Sequence, residues 1–343
     1  MPFEIVRNDI VNMRVDAIVN TANPQPVIGS GTDAAIHTKA GPGLLEARRK
    51  IGTIQAGSAA ITPGFGLEAK YVIHAVGPVW RGGLFGEQKI LRCCYDAALK
   101  LALEYGCDSI AFPLISAGNY GFPRDKALQT ALAAFSDFLM EQEMRIYLVV
   151  YDRDSFRLSE KLFRNVASYI DENYVHTAAE KQYGQSFVRN RPCPRQREWE
   201  EAVHAGCTEE VYPEMSCVLP SQSLAEWLEK TDAGFSETLL KLIDKTGKKD
   251  SEIYKRANLS KQHFSKIRNN PEYKPTKPTA IALALALELD LEQTKDLIGR
   301  AGYALTNSSK FDLIIQYFIE KKQYDVIQIN MTLYEFDQNL LGA

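Results

Sequence analysis

Two short loops carry residue types that can hold a phosphate. Ile28-Gly-Ser-Gly-Thr32 and Ser116-Ala-Gly-Asn-Tyr-Gly-Phe-Pro123 each place glycines and small polar residues just ahead of a helical pattern. Unpaired backbone N–H groups at a helix N-terminus point at an incoming anion, and the helix dipole favours negative charge there. Gly29 and Gly31 also let a ligand approach the backbone closely. Each loop follows an apolar run that reads as a buried strand. Asp16-Ala-Ile-Val19 precedes the first, with the chain leaving the strand near Asn20, and Ile110 to Ile115 precedes the second. Two strand ends of this kind can hold two phosphates between them, the geometry of a diphosphate clamp in an α/β sheet. The first loop lacks the third glycine of a dinucleotide fingerprint. No Gly-Lys-Ser/Thr follows it, which excludes a Walker loop. For either loop alone, a tight turn without a ligand is the competing reading.

The elements that must position these loops alternate along the chain. Phe3 to Arg7 reads as an entering strand, and the helical pattern from Asp33 to Ile51 is broken by Gly41-Pro-Gly43. Gly57 to Thr62 and Lys70 to Ala75 read as strands around a turn at Pro63 to Gly66. Amphipathic helices at Glu87 to Tyr105 and Asp125 to Gln142 flank the second loop, and Ile146 to Tyr151 closes the series as a strand. This order argues for parallel strands joined by crossover helices. His37 reads as a capping or packing residue. His74, inside an apolar strand, reads as a satisfied core imidazole rather than a general base.

The motifs, taken in order, carry a resemblance. Asn8-Asp9-Ile10, Val15 to Asn23, Gly31 to His37, Ile73 to Pro78, Pro113 to Pro123 and Val149 to Asp152 resemble the successive signatures of macro domains, over residues 1–172. The resemblance implies a three-layer α/β/α fold around a mixed, mostly parallel sheet. It implies ADP-ribose as ligand or product, with no cofactor required. Asp9 is then the acceptor for the adenine amine, Ile10 helps line the base slot, and Tyr151 stacks on the base, with Phe156 a weaker substitute. Gly29, Ser30, Gly31 and Thr32 face Ser116, Ala117, Gly118, Asn119 and Tyr120 across the diphosphate, Tyr120 bracing the distal ribose. In macro domains that remove ADP-ribose, including MacroD-type hydrolases, residues matching Asn23 and Asp33 orient that ribose and assist a phosphate-held water. Asn23 and Asp33 are therefore the catalytic candidates. Two departures bear on water access: the usual glycine run appears as Ile28-Gly-Ser-Gly-Thr32, and the glycine that often follows the aspartate is Ala34. The activity expected is hydrolytic removal of mono-ADP-ribose from a modified macromolecule. A non-catalytic reader and a nucleotide-sensing DNA-binding regulator are the alternatives.

A chain of 343 residues accommodates more than one ordinary core, and the pattern divides as 1–172, a connector at 173–231 and a helical region at 232–343. A formal net charge of −3 gives no whole-chain nucleic-acid signature. Six cysteines show no compact spacing, and Cys193, His204, Cys207 and Cys217 do not match a common zinc site, so no metal is expected. The absence of an 18-residue uncharged span predicts no membrane partner, and a reduced, cytoplasmic setting is expected. From Phe235 the pattern is helical. Ser251 to Ala257, a break at Asn258-Leu259 and then Ser260 to Arg268 resemble the helix-turn-helix of phage-repressor-type DNA-binding domains, expected as a separate all-α domain. Between Lys241 and Thr279 there are eleven Lys/Arg against four Asp/Glu, a local excess of +7. Lys261, Gln262, Ser265, Lys266 and Arg268 are the candidates for contact with duplex DNA, a DNA-associated protein being the other partner considered. Pro275 and Pro278 read as punctuation before a core helix, and Tyr324 to Leu341 as a final helical pair.

Overall fold

The computed structural model describes residues 2–150, 165–170 and 233–342. Strands β1 (Phe3–Arg7), β2 (Ala17–Thr21), β3 (Ala59–Pro63), β4 (Tyr71–Ala75), β5 (Ser109–Phe112) and β6 (Arg145–Val150) form one sheet in the order β1-β6-β5-β2-β4-β3. Neighbours pair in parallel except β3 with β4. The sheet is therefore mixed and mostly parallel.

Both faces are covered, and the strands show it residue by residue. Ala17 and Val19, Ile110 and Phe112, and Ile146, Leu148 and Val150 point into one core. That core packs against α3 (Glu87–Glu104) and α4 (Arg124–Glu141) through Leu91, Tyr95, Ala131 and Phe135. The intervening Ile18, Ala111 and Val149 point the other way, against α1 (Thr32–Ala40) and α2 (Pro42–Ile51) through Ile36 and Leu44. Period-two alternation with apolar residues on both sides is what a sheet buried between two helical layers requires.

The two strand ends that carry the glycine loops differ from the sequence reading. β2 continues to Thr21, because Asn20 and Thr21 pair in register with His74 and Ala75 of β4 and the Asn20 side chain finds buried partners. β5 stops at Phe112 because Pro113 has no N–H for the ladder. The first loop therefore starts two residues later and the second three residues earlier.

The C-terminal helices are α5 (Phe235–Thr246), α6 (Asp250–Arg256), α7 (Lys261–Asn269), α8 (Lys277–Ala286), α9 (Leu291–Arg300), α10 (Lys310–Glu320) and α11 (Val326–Glu335). They share a core centred on α8, whose residues Thr279 to Ala286 are all buried, and residues 165–170 add Val166 and Ile170 to it. Pro278 lies within the first turn of α8, where its missing N–H is not needed, rather than before the helix. The final helical pair is a single helix, α11. Its Asn330 side chain holds the following segment by bonds to both the N–H and the C=O of Leu341.

These helices are not set apart from the α/β body as the sequence reading expected. Residues 1–170 and 234–343 cluster as one compact unit. α11 presents Val326, Ile329 and Leu333 to the helical core and Met331 to the core around Phe3 and Phe135. The turn between α6 and α7 supplies a second tie. Asn258, at φ +55° and buried, accepts from the Phe3 N–H at 2.9 Å and donates to the Phe3 carbonyl at 2.9 Å. The side-chain amide stands in for a neighbouring strand on the open edge of β1, which would otherwise leave a buried N–H and C=O unpaired. Tyr254 donating to Glu143 (3.1 Å) and Lys255 donating to the Met140 carbonyl (2.9 Å) continue the contact.

Candidate functional site

At the C-terminal ends of β2 and β5 lies a cavity of about 410 Å³, within the range of small-molecule sites. It is lined by Asn23, the run from Gly29 to Asp33, Ser116, Gly118, Asn119 and Tyr120, together with Thr21, Ala22, Gly77, Leu114 and Ile115. The two glycine loops therefore meet across one space. Asn119 Nδ2 donates to Ser30 Oγ and ties them together. Gly31 caps α1 at φ +63° with no side-chain cap, which leaves the first-turn N–H groups open toward the cavity.

Ser116 adopts φ +64°, a left-handed conformation uncommon outside glycine, and its buried hydroxyl has no partner among the described residues. Gly77 makes room for it. A Cβ on Gly77 would lie 2.1 Å from Ser116 Oγ and 2.8 Å from the Ile115 side chain.

Asp33 is buried, and both of its oxygens are engaged. Oδ1 accepts from Asn20 Nδ2 at 2.6 Å and Oδ2 from the Gly29 N–H at 2.5 Å. The carboxylate thus braces the loop that it stands behind, and each oxygen keeps a second lone pair. His37 Nε2 lies 3.7 Å from Oδ1. Burial pushes the His37 imidazole below its ordinary pKa, against the pull of Asp33, with Arg48 adding to the depression. Asn23 donates to the Val27 carbonyl at 3.2 Å and accepts from the Tyr120 hydroxyl at 3.3 Å, so the two residues assigned to the distal ribose already touch. Burial, then Asp33, raises the Tyr120 hydroxyl above its ordinary pKa, which favours the donor form.

The remaining assigned residues fall elsewhere. Ala117 lines a smaller recess of about 160 Å³ that shares Thr32, Leu114 and Gly118 with the main cavity and runs to Val149 and Val150. Asp9 caps the short 3-10 turn Ile10–Asn12 by accepting from the Val11 N–H at 3.1 Å, and Ile10 is buried in the core with Val149. Both stand beside the end of β6, where the Asn8 N–H donates to the Val150 carbonyl. Neither lines the main cavity. Tyr151, Phe156 and the Cys193, His204, Cys207 and Cys217 set lie outside the described residues. Among the described residues no cluster of His, Cys, Asp and Glu fits a metal ion, and no helix is long and apolar enough to cross a membrane.

Sequence reasoning missed Asn20, Thr62, Gly77 and Arg48. Arg48 is buried and donates to the carbonyls of Asn23 (3.1 Å), Pro24 (3.0 Å) and Gly52, which fixes the backbone that carries Asn23. His74 is a satisfied core imidazole, as expected, but its partners are the side chains of Asn20 and Thr62 rather than a backbone carbonyl.

Burial, followed by Arg48 and His37, lowers the His74 pKa from 6.5 to about 3. The unfolded chain therefore binds a proton below about pH 6.5 that the folded chain refuses until about pH 3. The contribution to stability is complete above the unfolded value and is lost as pH falls. At pH 5 the loss is about 2 kcal/mol. Urea unfolding of the full chain at pH 7 and pH 5 should show a larger loss for the wild type than for His74→Gln; equal losses would contradict this.

Glycine loops meeting at parallel strand ends, an asparagine and a buried aspartate behind them, and helices on both faces define a macro-type site, and sequence comparison agrees. Residues 19–131 match the Macro domain family. A macro domain-containing protein of Methanosarcina mazei is 46% identical over 164 residues, which is 47% of this chain and 88% of that protein. An O-acetyl-ADP-ribose deacetylase of Citrobacter rodentium is 46% identical over 164 residues, 46% of this chain and 93% of that protein. A solved Oceanobacillus iheyensis macrodomain with ADP is 36% identical over 46% of this chain and 84% of its own, with a TM-score of 0.42. The chain belongs to the macro domain family.

Proposed function

We propose that the α/β body binds ADP-ribose across the ends of β2 and β5 and hydrolyses ester-linked mono-ADP-ribose, without a required cofactor. The observation that carries this reading is that ten of the residues assigned to the ligand line one cavity. Backbone N–H groups of the two loops suit the diphosphate. The recess that runs to Val149 and Val150, beside which Asp9 and Ile10 stand, suits the base. Asn23, Tyr120 and Asp33 then fall to the distal ribose. In the reaction the water oxygen bonds to the acyl carbon, the ester C–O bond breaks, and the ribose oxygen leaves with a proton as ADP-ribose. The deacetylase relatives support an ester as the bond cleaved.

The test is to incubate the full chain with O-acetyl-ADP-ribose and with protein modified on acidic side chains, and to measure ADP-ribose released. Release supports a hydrolase. Binding without release supports a non-catalytic reader. Gly77→Ala should weaken ADP-ribose binding by about tenfold or more, about 1.4 kcal/mol, because the new methyl must displace the Ser116 loop. Calorimetry showing unchanged affinity would contradict this placement of the ligand.

For the C-terminal helices, the local basic excess favours an acidic partner such as duplex DNA or a DNA-associated protein. Part of that charge is answered within the fold. Lys248 and Arg256 pair with Glu288, Lys241 with Glu237, Arg268 with Asp250 and Lys277 with Asp312. Lys261 and Gln262, at the start of α7, line a cleft of about 480 Å³ shared with Asp108, Glu143 and Arg145 of the α/β body. A helix-turn-helix reads base edges with the first residues of that helix. Ser265 and Lys266 flank a shallower recess with Tyr273. We therefore assign the helices first to supporting the α/β body and keep the helix-turn-helix DNA reading as the alternative.

A further inference from the structure

Behind the cavity, buried polar side chains cross three neighbouring strands. Asn20 on β2 stands in register with His74 on β4, and Thr62 lies on β3. All three are buried where apolar side chains would pack at lower cost, so their retention asks for a reason. The order of the hydrogen bonds is dictated by chemistry. A carboxylate accepts, so Asn20 must turn its NH2 toward Asp33 Oδ1 at 2.6 Å. The other hydrogen of that NH2 meets His74 Nδ1 at 3.2 Å, which makes Nδ1 the acceptor and puts the ring proton on Nε2. Nε2–H then donates to Thr62 Oγ1 at 3.0 Å, and the Thr62 hydroxyl donates to the Val72 carbonyl at 3.5 Å. Each donor in the series thus has one orientation that serves its acceptor, while Asn20 Oδ1 is left buried without a partner among the described residues.

We propose that His74 is a positioning residue for Asp33, acting through Asn20. With its Nδ1 lone pair His74 fixes the plane of the Asn20 amide, Asn20 fixes Asp33 Oδ1, and Oδ2 is left to hold the Gly29 N–H and with it the loop over the cavity. Burial keeps the ring neutral, so the orientation is the same across the physiological range. The proposal rests on the ADP-ribose reading of the site.

The test uses the full chain carrying His74→Phe, His74→Gln or Thr62→Val, each alone and combined with Asp33→Asn. His74→Phe should weaken ADP-ribose binding by about fivefold in the wild-type background and have no effect once Asp33 is replaced, the non-additivity of side chains in one network. With O-acetyl-ADP-ribose, kcat should fall about tenfold or more, beyond the rise in KM. His74→Gln, which retains an acceptor and a donor, should recover most of both losses. Where His74→Phe fails to fold, Thr62→Val gives the same cycle by leaving Nε2–H without its acceptor. Losses of equal size with and without Asp33, or no loss in either background, would overturn the positioning role alone. Failure of the wild type to bind ADP-ribose would overturn the site reading and this role with it.

Discussion

Asp33→Asn should reduce hydrolysis of O-acetyl-ADP-ribose about a hundredfold or more, the scale on which a group stabilising a transition state acts, and should weaken ADP-ribose binding as well. The second effect follows from the geometry. Asp33 accepts from Asn20 and from the Gly29 N–H, so an amide in its place must turn an NH2 toward one of two donors. One contact is lost, and the loop from Gly29 to Thr32 loses its brace. Asp33→Ala removes both contacts and leaves a hole, which makes it the poorer probe of chemistry. Turnover at saturating substrate must therefore be read beside the dissociation constant. A fall in kcat supports a catalytic Asp33. Unchanged kcat with weaker binding would reduce Asp33 to a brace, and no change in either would remove it from the site.

Asn258→Ala should destabilise the whole chain by about 2–6 kcal/mol, since the N–H and C=O of Phe3 are left buried and unpaired at about 1–3 kcal/mol each. An alanine at the φ of +55° held by Asn258 adds a smaller cost. The loss should appear in a single cooperative transition that includes the α/β body, because α11 places side chains in both cores. A segment ending at Ile170 lacks Asn258 and Met331 together and should melt well below the full chain. ADP-ribose affinity of folded Asn258→Ala should stay near wild type, since β1 lies three places from β2 in the sheet. Two independent thermal transitions in the wild type, or a melting curve unmoved by Asn258→Ala, would show that the helices are separate after all.

The parts legible in the sequence were those whose signal is local. Gly29 and Gly31 mark a loop by what they are, and the apolar runs around Ile18 and Ala111 declare strands buried on both faces, whereas the stop that Pro113 imposes on β5 was read three residues too late. The ten cavity residues could be assigned because each sits in a short motif. Asn20, Thr62 and His74 are single polar residues in apolar strands, and their bonds span 54, 13 and 12 positions, distances at which no pattern connects them. Arg48 sits beside Arg49 and Lys50, and nothing in that run distinguishes the buried member from its neighbours. The Asn258 contact spans 255 positions. Asn258 reads as the turn between two helices, which it is, and its second task depends on an edge strand at the opposite end of the chain. The basic excess around α7 is smaller in the fold than in the sequence for a related reason, since Glu237, Glu288 and Asp312, which answer part of it, lie outside the window in which it was counted.

The central claim is that the loops at the ends of β2 and β5 close around ADP-ribose, and calorimetric titration of the full chain with ADP-ribose, with ADP in parallel, tests it most directly. Saturable binding of one ADP-ribose per chain is predicted, tighter than ADP because Asn23 and Tyr120 engage the distal ribose, with that advantage lost in Asn23→Ala. No saturable heat with ADP-ribose up to millimolar concentration would contradict the account.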